Sequence, residues 1–517
     1  MKNGKRIFVN QIGFAPDAVK TVCFFGDGSV PADFFVNDES GRCVWSGKFG
    51  VPVEDAFSGG TVVSGDFSAF SGEGIFTVTA AGSTSFPFRI GSGLYDGLLF
   101  SVLDYFRRSR CGEDVLDPVF GHAACHTKNA LVYGTEACID VHGGWHDAGD
   151  YGRYVVAGAK AVMDLLDAFD SCGSGFSCFD ILSEVRFELE WMLRMQRADG
   201  AVYHKVSCFH FCGFIMPQDE DDELVVSPVS TAATADFAGC AAAASKYFAL
   251  SDGEFAARLL SAAKLAQSYL GSHDDEIYSN PPELKTGEYG DRNVADERYF
   301  ALCALFSATG DGCYLQRALA LRAENLGESF GWGNVAGYGT EILLKSKDLL
   351  PDSVVSELAD AVVSVAEKLL SAAAKNGFAV ALEKVFWGSN GCVCDNAHVF
   401  MLAFSLTGRK EFRIAASRQL DYILGCNPLG ICYVTGAGSC CPEHTHHRPS
   451  GALGKSMSGM LAGGPASGMH DAAAKKHLEG VPPLLSYIDD ERSYSTNEVA
   501  IYWNSTLAAL ISALNFG

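Results

Sequence analysis

Two hydrophobic patterns divide the chain. From residue 5 to 90, short runs rich in β-branched and aromatic residues (RIFVNQIGF, TVCFFG, DFFVND, RCVWSG and GIFTVTAAG) are separated by turn signals such as Asp38 to Gly41 and Ser71 to Gly74. Runs of that length and spacing predict the strands of a small β-sandwich. After the glycine pair Gly91 and Gly93 the period changes: Leu182, Val185, Leu189, Met192 and Met195 recur at helical spacing. Similar segments follow in TAATADFAGCAAAASKYFAL, FAARLLSAAKLAQSYL, VVSELADAVVSVAEKLLSAAA and STLAALISAL. Many are apolar nearly all round, which predicts helices buried on most sides and hence a closed, layered helical array. The expected division is a sandwich over residues 1–92 and a helical domain over 93–517.

Composition narrows the functional classes. With 48% hydrophobic and 20% charged residues the chain reads as soluble and globular. Its 39 Lys and Arg against 62 Asp and Glu give a formal charge of -23, a surface that repels phosphate backbones and anionic lipid, so neither nucleic acid nor membrane is an expected partner. The first residues are basic, but no apolar stretch long enough for a signal peptide follows. The expectation is a cytoplasmic protein, secreted if a leader has been trimmed, and a monomer. The 18 cysteines are scattered singly, which suits reduced thiols better than a disulfide framework.

Candidate chemistry begins at GGWHDAGDYGRYV, Gly143 to Val155, where Asp147 and Asp150 stand among four glycines. They read either as turn and N-cap residues of a helix beginning near Tyr151 or as two carboxylates aimed at one water. A partner acid is available in YIDDERSYSTNEVAIYWNSTLAAL, where Glu498 precedes an apolar run. It also completes a capping-box pattern with Ser495, and that reading stands beside the catalytic one.

These two stretches, with WMLRMQRADGAVYHKV, STAATADFAG, FWGSNG and LDYILGCNPLGICYVTGAG between them, resemble the glycoside hydrolase family 9 cellulases over nearly the whole chain. RIFVNQIGFAPDAVK resembles the immunoglobulin-like module that precedes the catalytic domain in one branch of that family. The resemblance implies a mainly α fold, an (α/α)6 six-hairpin barrel preceded by an all-β immunoglobulin-like sandwich. It makes Asp150 the general base, Asp147 its companion on the water and Glu498 the general acid of an inverting glycosidase. It places Asp489 and Tyr494 beside Glu498, and His446 and Arg448, in HTHHRPS, on sugar hydroxyls. The same loop departs from the family at Cys440, where a polar residue is usual, and at Thr445, where proline or an aliphatic residue is common.

Sugar rings have apolar faces that suit aromatic stacking. Of Trp145, Trp332, Trp387 and Trp503, the expected groove residues are Trp387 and Trp332, although most tryptophans are core. Cys111, Cys125, His126 and His146 are a donor set for tetrahedral zinc, and buried thiols are the competing reading. RCG, ACHT and GWHD resemble the structural zinc site of the Ig-bearing enzymes. Asp291, Asp296 and Glu297 gather before a helix, where calcium or a simple preference for helix N-termini accounts for them. No organic cofactor is expected. The implied activity is endo-β-1,4-glucanase on cellulose-like or mixed-linkage β-glucan. The alternative is an exo-acting cellodextrinase, β-glucosidase or glucosaminidase on short imported cello-oligosaccharides.

Overall fold

The computed structural model describes residues 6–26, 28–173, 175–323 and 326–517. The chain forms two compact units: one gathers the chain up to Tyr105, a short return ending at Cys178, and Ala366–Gly517; the other takes Phe106–Gly173 and Phe179–Val365.

The first unit opens with strands β1 (Ile7–Phe8), β2 (Gly13–Phe14), β3 (Thr21–Gly26), β4 (Asp33–Asp38), β5 (Cys43–Lys48), β6 (Val53–Asp55), β7 (Gly60–Asp66), β8 (Gly74–Ala80), β9 (Ser83–Thr84) and β10 (Phe88–Ile90). They make two sheets, ordered β1-β3-β7-β6 and β2-β10-β8-β4-β5, with β9 on β8. Val22 and Phe24 from one sheet and Phe34, Val36, Val78 and Phe88 from the other share a core, as a sandwich requires. Strand β3 is nonetheless buried at every position. Its second face is covered too, since Phe25 packs on Phe378 and a Cβ at Gly377 would fall 2.2 Å from Val62. A sheet covered on both faces loses the alternation of a half-exposed strand.

Helix α1 (Asp96–Arg108) leads into the second unit, where strands β11 (Ala130–Val132), β12 (Cys138–Ile139), β13 (Arg153–Tyr154), β14 (Lys205–Cys208) and β15 (Leu224–Val226) form a sheet ordered β12-β11-β15-β14-β13. Interleaved with them and beyond are helices α2 (Val155–Cys172), α3 (Ile181–Arg194), α4 (Thr231–Phe248), α5 (Gly253–Ser272), α6 (Ala295–Thr309), α7 (Gly312–Arg322) and α8 (Ala336–Lys345). Helices α2, α4, α6 and α8 touch in succession and are buried nearly all round, while α3, α5 and α7 pack outside α2, α4 and α6. The sequence pattern follows this layering: TAATADFAGCAAAA has no polar face because α4 has no solvent face. The segments preceding the inner helices meet at one end, as Tyr289 before α6 bonds Asp147 before α2 and packs on Trp332 before α8.

Helix α9 (Asp352–Ala373) returns the chain to the first unit, which adds α10 (Ser389–Thr407), α11 (Lys410–Ile423), α12 (Arg448–Leu453), α13 (Ala472–Leu478), α14 (Tyr494–Asn497) and α15 (Ile501–Asn515). Helix α10 packs on α11 and α15. The segment between β1 and β2 is fastened to this helical part: the Asn10 amide donates to Asp421 at 2.9 Å, and Gln11 accepts from the Ser439 and Cys440 backbone N–H groups. Among the described residues no helix is long and apolar enough to cross a membrane.

Candidate active site

The glycine-rich loop of the second unit is fixed by buried partners. Gly143 and Gly144 adopt φ of +97° and +78°, and a Cβ on Gly144 would lie 2.6 Å from the Trp191 ring. Trp145 is fully buried; its backbone N–H donates to Glu188 and its indole N–H to Glu184, both at 2.7 Å. Glu184 is also gripped by Arg110 through two bonds of 2.9 and 2.7 Å, which compensates its desolvation. The Arg153 guanidinium donates to the carbonyls of Val141 and Gly143 at 2.7 Å each. Polar side chains brought in from α3 and β13 thus supply the rigidity that the local sequence lacks.

Neither aspartate caps a helix. Helix α2 begins at Val155, later than the expected Tyr151, with Tyr154 at its N-cap and no side-chain cap, so the capping reading of Asp147 and Asp150 is corrected. Asp147 Oδ2 accepts from the Tyr289 hydroxyl at 2.6 Å; its Oδ1 is buried and has no hydrogen-bond partner among the described residues. Burial pushes its carboxyl well above the usual range, Asp150 adds to this by charge, and the Tyr289 donor opposes it. Asp150 Oδ2 accepts from the Gly152 N–H at 3.1 Å and lies 3.5 Å from the Tyr154 hydroxyl. Together they offer a pair of acceptors that can orient and deprotonate a water.

Sequence reasoning missed the groups that hold this pair. Tyr289, at φ +50°, packs on Tyr154 at 4.8 Å and edge-on to Trp332 at 4.9 Å. Its segment is held by Lys205, which donates to Thr286 Oγ1 at 3.0 Å and to the Gly287 carbonyl, and by His204, which bonds the Glu288 carbonyl at 2.9 Å. Burial lowers the Lys205 pKa to about 7, against the pull of Asp150 and Glu288. Burial also lowers His204 to about 3, leaving it neutral at pH 7. Two titratable residues side by side in VYHKV were the available signal.

Glu498 stands in the first unit, between α14 and α15. The capping-box reading is corrected here as well: Ser495 donates to Asp471 through both N–H and hydroxyl, while Glu498 Oε2 accepts from the Trp387 indole at 3.1 Å. Trp387 is 41% exposed, and its ring lies 5.1 Å from Tyr494 and 6.0 Å from His470. His446 packs on Tyr494 and bonds the Glu491 carbonyl. Arg448 opens α12 and is largely buried. Asp489 is engaged by the N–H groups of Glu443 and His444 and by the Asn497 amide, all at 2.9 Å, so its oxygens brace the loop. Trp145 and Trp503 are core residues, whereas Trp332 is partly exposed. At the two departures from the family pattern, Thr445 is buried and bonds Ser456, and the Cys440 carbonyl accepts from the Cys432 N–H.

The four expected zinc ligands come together in the second unit: one donor atom from each of Cys111, Cys125, His126 and His146 lies within 4.8 Å of the others. The sulfurs are 3.9 Å apart, and sulfur to imidazole nitrogen is 3.6 Å for Cys111 with His126 and for Cys125 with His146. Zinc bonds of about 2.3 Å to sulfur and 2.0–2.1 Å to nitrogen place tetrahedral donors roughly 3.4–3.8 Å apart, so the residues fit a zinc ion. Glu220 bonds the far nitrogen of His126 at 3.0 Å, a carboxylate behind a candidate ligand imidazole that the sequence did not disclose. Asp291, Asp296 and Glu297 also belong to a larger group, joined by Asp236 of α4. Both Asp236 oxygens and one of Glu297 are buried without hydrogen-bond partners, and burial followed by mutual repulsion raises the pKa of Asp236 and Glu297. Asp296 accepts from the Val335 N–H at 2.8 Å.

A water-activating carboxylate pair and a carboxyl group framed by an exposed tryptophan are the equipment of enzymes that cleave glycosidic bonds. The chain belongs to glycosyl hydrolase family 9, which it matches over residues 95–511, and residues 2–85 match the cellulase N-terminal ig-like domain. A cellodextrinase from Butyrivibrio fibrisolvens is 34% identical across 99% of this chain and 100% of its own length. Endoglucanase D from Acetivibrio thermocellus is 31% identical across 98% of this chain and 83% of its own. The crystal structure of a single mutant of the thermostable endoglucanase from Alicyclobacillus acidocaldarius superposes with a TM-score of 0.94 at 34% identity, over 99% of this chain and 100% of that one. The protein is a glycoside hydrolase, mainly α, with an all-β immunoglobulin-like domain ahead of its helical catalytic domain.

Proposed function

We propose that the protein is an inverting endo-β-1,4-glucanase that cleaves cellulose-like or mixed-linkage β-glucan. In this reading Asp150 is the general base, Asp147 holds the same water, and Glu498 protonates the departing glycosidic oxygen. The observation that carries it is the buried pair itself, Asp150 held by the Gly152 N–H and Asp147 by the Tyr289 hydroxyl, inside a family 9 chain. An inverting glycosidase keeps acid and base about 6.5–9.5 Å apart so that water enters between base and sugar. The Trp387 indole donates to Glu498 and orients the carboxyl group while its face supplies a stacking surface. Trp332, Tyr494, His446 and Arg448 complete the proposed sugar contacts.

The full-length similarity to a cellodextrinase supports a second reading, exo-action on short cello-oligosaccharides. Chromatography of cellohexaose digests separates the two. Internal cutting is expected, giving products of mixed length from the first minutes; a single small product released throughout would establish exo-action instead.

The donor geometry supports zinc at Cys111, Cys125, His126 and His146, with a structural role beside the catalytic loop. The buried oxygens of Glu297 and Asp236 that have no hydrogen-bond partner among the described residues support calcium at Asp291, Asp296 and Glu297, together with Asp236. None of the described cysteines is in a disulfide, which supports a reducing, cytoplasmic setting, and a monomer is the proposed state.

A further inference from the structure

The turn joining β6 to β7 is held by hydrogen bonds of its own. Asp55 is buried and accepts from the Phe57 N–H at 2.9 Å and the Ser58 hydroxyl at 2.8 Å, and its carbonyl accepts from the Gly59 N–H. At its tip the Phe57 carbonyl accepts from the Leu484 N–H at 2.8 Å. Gly59 adopts φ +74°, and a Cβ there would come within 2.5 Å of Pro482 Cγ. The turn is therefore seated on a segment between α13 and α14 that has no regular structure beyond one 3-10 turn, Pro483–Leu485.

That segment leads to Glu498 through a series of hydrogen bonds. Leu484 is fully buried and the Ser486 carbonyl accepts from the Ala466 N–H at 2.9 Å. The buried Tyr487 donates its hydroxyl to Asn497 Oδ1 at 2.5 Å, and Asp489 accepts from the Asn497 amide at 2.9 Å. The Asn497 amide also donates to the His444 carbonyl at 2.6 Å, and its own carbonyl accepts from the His446 N–H. Asn497 is fully buried and directly precedes Glu498. The carboxyl group's placement thus depends on a side chain whose three polar bonds are set by residues 487–489 and 444.

We propose that the Asp55–Gly60 turn of the immunoglobulin-like domain is a positioning element for the general acid: by clamping residues 482–484 it fixes Tyr487 and Asp489, which hold Asn497 and so aim Glu498. The proposal rests on the reading of Glu498 as the acid. It gives the domain a role in the proton-donating half of the reaction, beyond covering apolar surface.

The chemistry supplies a readout that a stability effect would not move. A sugar leaving group must be protonated as it departs, whereas dinitrophenolate leaves without a proton. Gly59→Val, which must displace Pro482, is expected to lower kcat on cellotetraose about tenfold, part of the 10²–10⁴ that a positioned acid contributes, with KM little changed and dinitrophenyl β-cellobioside turnover within about twofold. Tyr487→Phe removes the bond to Asn497 from inside the catalytic domain and is expected to show the same selectivity, so the test survives if Gly59→Val fails to fold. Equal losses on both substrates, or no loss on cellotetraose with either variant, overturn the proposal. Glu498→Gln is the control: if it too damages both substrates alike, the assignment of the acid fails and not the coupling alone.

Discussion

Asp150→Asn is expected to lower kcat on a soluble β-glucan by about 10³-fold or more, with the protein still folded and its KM nearly unchanged. The amide keeps an acceptor for the Gly152 N–H but takes no proton from water. At Asp147, burial raises the carboxyl pKa well above its ordinary value. A raised carboxyl favours the folded state below the ordinary carboxylate range, and that contribution is lost as pH rises through the folded pKa. Removing the Tyr289 donor with Tyr289→Phe raises this pKa further, so the acid limb of the kcat/KM profile is expected to move to higher pH. A pH-rate series on wild type and Tyr289→Phe checks the sign. An acid limb displaced to lower pH, or an Asp150→Asn variant with near-wild-type turnover, would remove these residues from their assigned roles.

Loss of zinc is expected to be the largest effect on stability. His146 is both a proposed ligand and the residue before Asp147, and its ring packs on Tyr151 at 4.8 Å, whose hydroxyl bonds the Ile215 carbonyl. A metal bound at these four donors would tie together residues 111, 125–126 and 146, all within the segment that carries the proposed catalytic pair. Cys125→Ser leaves three protein ligands. It is expected to abolish stoichiometric zinc, about one ion per chain in the wild type, and to cost about 3 kcal/mol or more, which is roughly three degrees in melting temperature for a chain of this length. Glu220→Gln keeps the ligands and is expected to weaken zinc binding about 10–100-fold. Metal analysis with and without chelator, read beside calorimetry, checks both variants and counts calcium at the same time. Protein purified without chelator that contains no zinc, or that melts unchanged after its removal, contradicts the structural role.

The sequence was most legible where local physics and tertiary placement agree. The sandwich strands and the inner helices follow from periodicity because their burial is regular. The β11–β15 sheet was not foreseen, since its strands are two to four residues long and its pairing joins segments as distant as 130–132 and 224–226. At the candidate site, Asp147, Asp150 and Glu498 stood out, as did the four expected zinc ligands, but Tyr289 and Glu220 did not: they reach Asp147 and His126 from about 140 and 94 residues away, and no spacing rule connects such positions. Asp236 was hidden because a single carboxylate in an alanine-rich run looks like a helix residue until α6 brings two more beside it. The two capping expectations failed for one reason: an N-cap pattern names which groups can cap, while the start of each helix was decided by packing.

The stereochemistry of cleavage distinguishes a water shared by Asp147 and Asp150 from direct attack by a carboxylate. Proton NMR of newly released reducing ends, followed within the first minutes of cellotetraose hydrolysis, reads the anomeric configuration before mutarotation blurs it. Water delivered by Asp150 to the face opposite the leaving group predicts the α-anomer first. An initial β-anomer would mean that a carboxylate attacks the sugar itself, and would contradict the assignment of Asp147 and Asp150 to a shared water.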